Sequence, residues 1–96
     1  MKIGDICEFK INFPDADFWL IRKGNDKTVG TPTRNFSTEH IGVKIIDTNQ
    51  VVPEFLFYMF QFLQQKGDFV KLSRGTLNLK HISISDIKDI PVFFKN

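Results

Sequence analysis

The sequence holds one cysteine, Cys7, and two histidines among 96 residues. An intrachain disulfide is thereby excluded, and the reducing cytosol is the natural compartment for a thiol set in an apolar-alternating run. His40 and His81 stand apart, with no C-x-x-C or H-x-x-x-H spacing around them, so no bound metal is expected. The stretch "FLFYMFQFL" is too short to span a bilayer, and no charged start leads into a signal-like apolar segment. Walker-type and G-x-G-x-x-G loops are missing, which leaves nucleotide cradling without a motif. Cys7 with either histidine would make a nucleophile and a base only inside a signature that is not there. Asp86 and Asp89, three residues apart, read as a helix start and a solvated charge rather than as a magnesium pair. Neither catalysis nor a cofactor is expected.

Charge of one sign is also scarce: 13 Lys and Arg oppose 11 Asp and Glu, for a net +2. The placement is less even than the total. Asp5, Glu8, Asp15 and Asp17 gather early, whereas Lys66, Lys71, Arg74 and Lys80 crowd a later stretch, a pattern that favours one basic face. What the chain has in abundance is phenylalanine, eleven of them, within a 42% hydrophobic composition. That is enough apolar surface for one core, and the length suits a single domain over residues 1–96.

Alternation predicts a strand over Ile3–Ile11, and the aromatic and aliphatic run before Gly24 predicts a central strand over Asp17–Arg22. Lys23–Thr38, rich in glycine, hydroxyl and amide side chains, reads as a long irregular loop, and loops of that length in small domains are commonly functional. "HIGVKIID" resumes as a strand. Pro53 and Glu54 open a helix that Gly67 closes. Phe55, Met59 and Phe62 form one apolar stripe on it and Leu56, Phe60 and Leu63 the next, so the helix is buried or meets a partner. Phe62 is expected to be a stabilising core residue. "DFVKLS" fits a short strand or a helical extension, Ser85 an N-cap before one helical turn, and "PVFF" a closing edge strand. The fold class is α+β: a small mixed sheet, one main apolar helix and a long polar loop.

Three features carry binding chemistry: the polar loop, the apolar helix, and the turn Arg74-Gly75-Thr76-Leu77-Asn78-Leu79-Lys80. Arginine reaches guanine or phosphate, asparagine reads adenine, and threonine hydroxyls with glycine amides suit close phosphate approach. An ordinary solvated turn has the same composition.

The segment "VVPEFLFYMFQFLQQKGDFVKLSRGTLNLKHISISDIKDIPV" resembles the second half of a target recognition domain from specificity subunits of type I restriction-modification enzymes. The resemblance rests on Pro53, Leu56, Tyr58, Gly75, Thr76, Ile84, Ile87, Ile90 and Pro91. "IGDICEF" is similar to that domain's opening strand, and "VGTPTRNFSTEHIGVKI" to its variable recognition segment. The spacer helix that follows the closing strand in the family, beginning "PPxxEQ", has no counterpart after "VFFKN". The resemblance implies a stand-alone, non-catalytic module for double-stranded DNA, of a kind at home in phage or mobile elements. Its expected contacts are Lys27, Arg34, Asn35, Arg74, Thr76, Asn78 and Lys80. The competing expectation is a protein-binding module, through a homodimer or a host complex that it inhibits, anchored by Phe57, Tyr58, Phe93 and Phe94.

Overall fold

Side-chain alternation builds the first half of the chain into strands: β1 (Cys7–Ile11), β2 (Phe18–Leu20), β3 (Lys23–Gly24), β4 (Pro32–Thr33) and β5 (Ile41–Ile45). The computed structural model describes residues 1–49 and 51–92. In β1, Cys7 and Phe9 face inward while Glu8 and Lys10 face water, as period two requires. The strand expected from Ile3 starts later, because Ile3–Asp5 form a 3-10 turn in which the Asp5 carboxylate accepts the Lys2 N–H at 2.9 Å. In β2 every residue is buried, which fits its inner place in an antiparallel sheet of order β1-β5-β2-β4. Asp17 fixes that order locally: its N–H donates to the Val43 carbonyl at 2.8 Å and its carboxylate accepts the Ile45 N–H at 2.9 Å.

The helix opened by Pro53 is α1 (Pro53–Lys66), closed by Gly67 as expected, and α2 (Asp68–Leu72) follows at once. "DFVKLS" is thus the helical extension. Strands β6 (Arg74–Thr76) and β7 (Leu79–His81) make a hairpin, and β3 joins them in a second antiparallel sheet of order β3-β7-β6. Strands are therefore divided between two antiparallel sheets where one mixed sheet was expected, within an α+β fold. The segment 23–38 is correspondingly more ordered than its composition suggests, since β3, a turn through Asn25–Gly30 and β4 all lie in it. The last helix, α3 (Ile84–Lys88), is capped by Ser83, whose Oγ accepts the Asp86 N–H at 3.3 Å. The cap expected at Ser85 falls two residues earlier, because Ile84 already turns toward the core. Pro91 bridges to Lys2, and Phe93 and Phe94 lie outside the described residues.

The core is aromatic. Phe18 of β2 meets Phe57 edge-on at 5.5 Å and Phe60 at 5.9 Å, and Phe60 stacks on Phe69 of α2 at 5.8 Å. Leu56, Phe57 and Phe60 are the buried face of α1. Phe62 is 60% exposed, so the expected core role passes to Phe60, and it is the Leu56–Phe60 stripe that faces inward. Phe57 is likewise a core residue rather than a surface anchor, while Tyr58 beside it is exposed. Among the described residues no helix is long and apolar enough to cross a membrane.

Cys7 is buried, and burial, aided by the charge of Asp17, raises its thiol pKa from 9.0 to about 12. The unfolded chain ionises this thiol near pH 9.0 and the folded chain near 12, so its linkage lowers stability as pH rises through that window. A urea midpoint that falls more steeply from pH 8 to pH 11 in the unsubstituted chain than in Cys7→Ala is the expected result. Phe60→Ala should cost about 3–5 kcal/mol in urea unfolding, whereas Phe62→Ala should cost less than about 1 kcal/mol.

Candidate nucleic-acid interface

Register determines which side chains share a face of the small sheet. Lys23 pairs with His81, and His81 pairs with Arg74, so the three lie in one row across β3, β7 and β6. Directly paired residues project to the same side, and neighbouring strands are about 4.8 Å apart, so the row is about 10 Å wide. All three residues are exposed, and among the described residues none has an acidic or hydrogen-bonding side-chain partner. Next to them on the same face, Thr76 pairs with Leu79, both exposed. Two cationic side chains flanking an imidazole without a carboxylate repel one another, and an anion would relieve that repulsion.

The opposite face of the hairpin is different. Gly75 pairs with Lys80, and the Lys80 ammonium sits 3.5 Å from the Asp26 carboxylate with its side chain largely covered. Lys80 thus fastens the hairpin to the turn that carries Lys27. That turn is internally tied, because the Asn25 Oδ1 accepts the N–H groups of Lys27 at 2.9 Å and Thr28 at 3.1 Å. The Lys27 carbonyl also accepts a hydrogen bond from the Gln64 side chain of α1 at 2.8 Å. Asn25, Asp26, Lys27, Leu77 and Asn78 line one shallow depression, so the turn and the hairpin tip are neighbours.

Gly30 ends that turn at φ 84°, and a side chain there would enter the ring of Phe69. Gly75 has φ 117°, and a Cβ on it would collide with the Leu79 carbonyl oxygen across the hairpin. Both conformations are open to glycine and costly to other residues.

Arg34 and Asn35 belong to another place. The Arg34 guanidinium makes two 2.9 Å bonds to the Glu54 carboxylate in the first turn of α1 and lies 4.1 Å from the centre of the Phe57 ring. The Glu54 hydrogen bond, chiefly, holds its pKa above the ordinary arginine value. Glu54 and Gln64 are ten residues apart on α1, or about 15 Å along the axis at 1.5 Å per residue. The residues expected from sequence therefore form two groups: Lys27, Arg74, Thr76, Asn78 and Lys80 around the small sheet, and Arg34 with exposed Asn35 near the start of α1. Lys23 and His81 are the members that sequence reasoning missed. A two-residue turn at Leu77-Asn78 implies that Arg74 faces His81, so half of the row was there to be read; Lys23 arrives from far along the chain.

No cysteine–histidine pair is assembled. Cys7 pairs with Ile45 at one end of β5, while His40 precedes Ile41 at the other, about 16 Å away along the strand. His40 is partly buried, which lowers its pKa, and His81 lies in the second sheet. No group of three or more His, Cys, Asp or Glu suited to a metal occurs among the described residues.

No family model matches the sequence, and no curated protein matches it either. A solved structure does match: the S subunit of a type I restriction-modification system from M. genitalium, at TM-score 0.69 and 16% identity. The match covers 94% of this chain and 32% of that one, so the chain spans about a third of the S subunit's length. The likeness establishes the fold, and with it the fold resemblance read from the helix and turn motifs.

Gly75→Ala should unpair β6 from β7 while leaving the larger sheet intact. The expected sign is loss of the cross-strand nuclear Overhauser contacts between Arg74 and His81, with those between Phe9 and Val43 retained.

Proposed function

We propose that this domain binds double-stranded DNA, as a non-catalytic recognition module of the kind that makes up part of a type I specificity subunit. The observation that carries the reading is the Lys23–His81–Arg74 row, an exposed cationic face with no carboxylate to neutralise it among the described residues. Lys23, Arg74 and Lys27 contact phosphates, which supplies affinity without sequence information. Thr76 and Asn78, further out on the hairpin, reach base edges in the major groove, which is about 12 Å wide and admits a two-stranded ribbon. Lys80 acts through Asp26 by holding the Lys27 turn against the hairpin. Arg34, tied to Glu54, holds the loop in which exposed Asn35 makes a second, peripheral contact. The S subunit likeness supports the reading through the fold it shares with this chain.

With a net charge of only +2 and about three phosphate contacts, affinity is modest and falls with salt at a correspondingly small slope. Fluorescence anisotropy with a random duplex pool over a salt series tests this. The Lys23→Ala, Arg74→Ala double substitution should weaken binding and reduce the slope of log K against log salt by about 2, with the melting temperature unchanged. Absence of binding at low salt, or a slope untouched by the substitutions, would overturn the reading.

A further inference from the structure

The tip of the hairpin carries an unexpected feature for a polar binding surface. Leu77 is 74% exposed and Leu79 is 68% exposed, and they flank Asn78 in sequence. Buried leucine would be ordinary, and one exposed leucine would need no explanation. Two at the end of one hairpin, beside a polar turn, are a different matter. Side chains so largely in water gain little from burial in the free domain.

We propose, resting on the DNA-binding reading above, that Leu77 and Leu79 read thymine through its C5-methyl group, on either side of a base addressed by Asn78. In the major groove thymine offers an acceptor and a methyl, and apolar side chains are the natural partner of the methyl. Asparagine in turn pairs bidentately with adenine, so the three residues together favour A·T-containing steps. The cationic row behind the tip brings the ribbon to the backbone at a fixed depth, and the turn residues are then what enters the groove. A protein partner is the weaker reading of the same leucines. Two side chains at the end of one hairpin fall far short of the roughly 1,200 Å² that a stable protein interface buries. Leu77 shares its depression with Asn25, Lys27 and an Asp26 whose carboxylate is held 3.5 Å from the Lys80 ammonium, and Leu79 pairs with Thr76, so the surroundings are polar.

The test removes the methyl from the DNA before anything is changed in the protein. Duplexes enriched from a random pool by the full chain are remade with deoxyuridine in place of thymine, which deletes the methyl and keeps base pairing. Affinity should fall about fourfold for each thymine contacted, the worth of one buried methyl-sized group. The Leu77→Ala, Leu79→Ala double substitution should bind the thymine and deoxyuridine duplexes equally, and each single substitution should lose part of the difference. Equal binding of the two duplexes by the unsubstituted chain overturns the inference, as does an enriched motif without A·T pairs. Salt-sensitive binding that enriches no motif also overturns it and leaves the DNA-binding reading standing. No binding at all overturns both.

Discussion

The contact on which the rest depends is the packing of Phe18, Phe60 and Phe69. Phe18 comes from the middle of the four-stranded sheet, Phe60 from the long helix and Phe69 from the short helix after it. Each ring is fully or almost fully buried, and edge-on or stacked geometry at these separations is favourable beyond area burial alone. Phe69 also occupies the space in which a side chain at residue 30 would lie, so that position is left to glycine. The turn carrying Lys27 is therefore anchored by the core at Gly30 and by α1 at Gln64.

This arrangement divides the surface by the partners its charges have. Arg34, Lys44, Lys66 and Lys80 each lie within 4.0 Å of a carboxylate. Among the described residues Lys23 and Arg74 have no such partner, and the β3-β7-β6 ladder holds them with His81 in one line. A near-neutral total charge is thus compatible with a locally cationic face, because the acids lie elsewhere on the described surface. Net charge alone is a poor guide in such a chain; what matters is which cations the fold leaves uncompensated.

Local patterns were legible in the sequence and long-range pairing was not. Pro53, Glu54 and Gly67 mark both ends of α1, and the alternation in "CEFKI" and "IGVKI" marks two strands, because each signal lies within one element. The helix face was ambiguous. Two adjacent apolar stripes fit the period equally well, and only the sheet it packs on decides that Leu56 and Phe60 go in and Phe62 stays out. The short strands β3 and β4 carry no pattern at two residues each, which is why 23–38 read as loop. For the site, the hairpin residues were visible as a turn, but Arg34 and Lys80 looked as free as Arg74. Their carboxylate partners, Glu54 and Asp26, are 20 and 54 residues away.

The pairing of Met1 with Val92 sets a condition on how the chain folds. The Val92 N–H donates to the Met1 carbonyl at 2.9 Å, the Ile3 N–H to the Ile90 carbonyl at 2.9 Å, and Lys2 bridges to Pro91. Closing so long a loop from an open chain carries an entropy cost that grows with the logarithm of its length. That cost shrinks once the larger sheet and α1 have drawn the intervening chain together. The β6–β7 hairpin needs no such help, since its strands are joined by two residues. Loop closure thus costs the contact between Met1 and Val92 more than it costs the hairpin, and the former works as a latch that holds only while the sheet and α1 keep the intervening chain together.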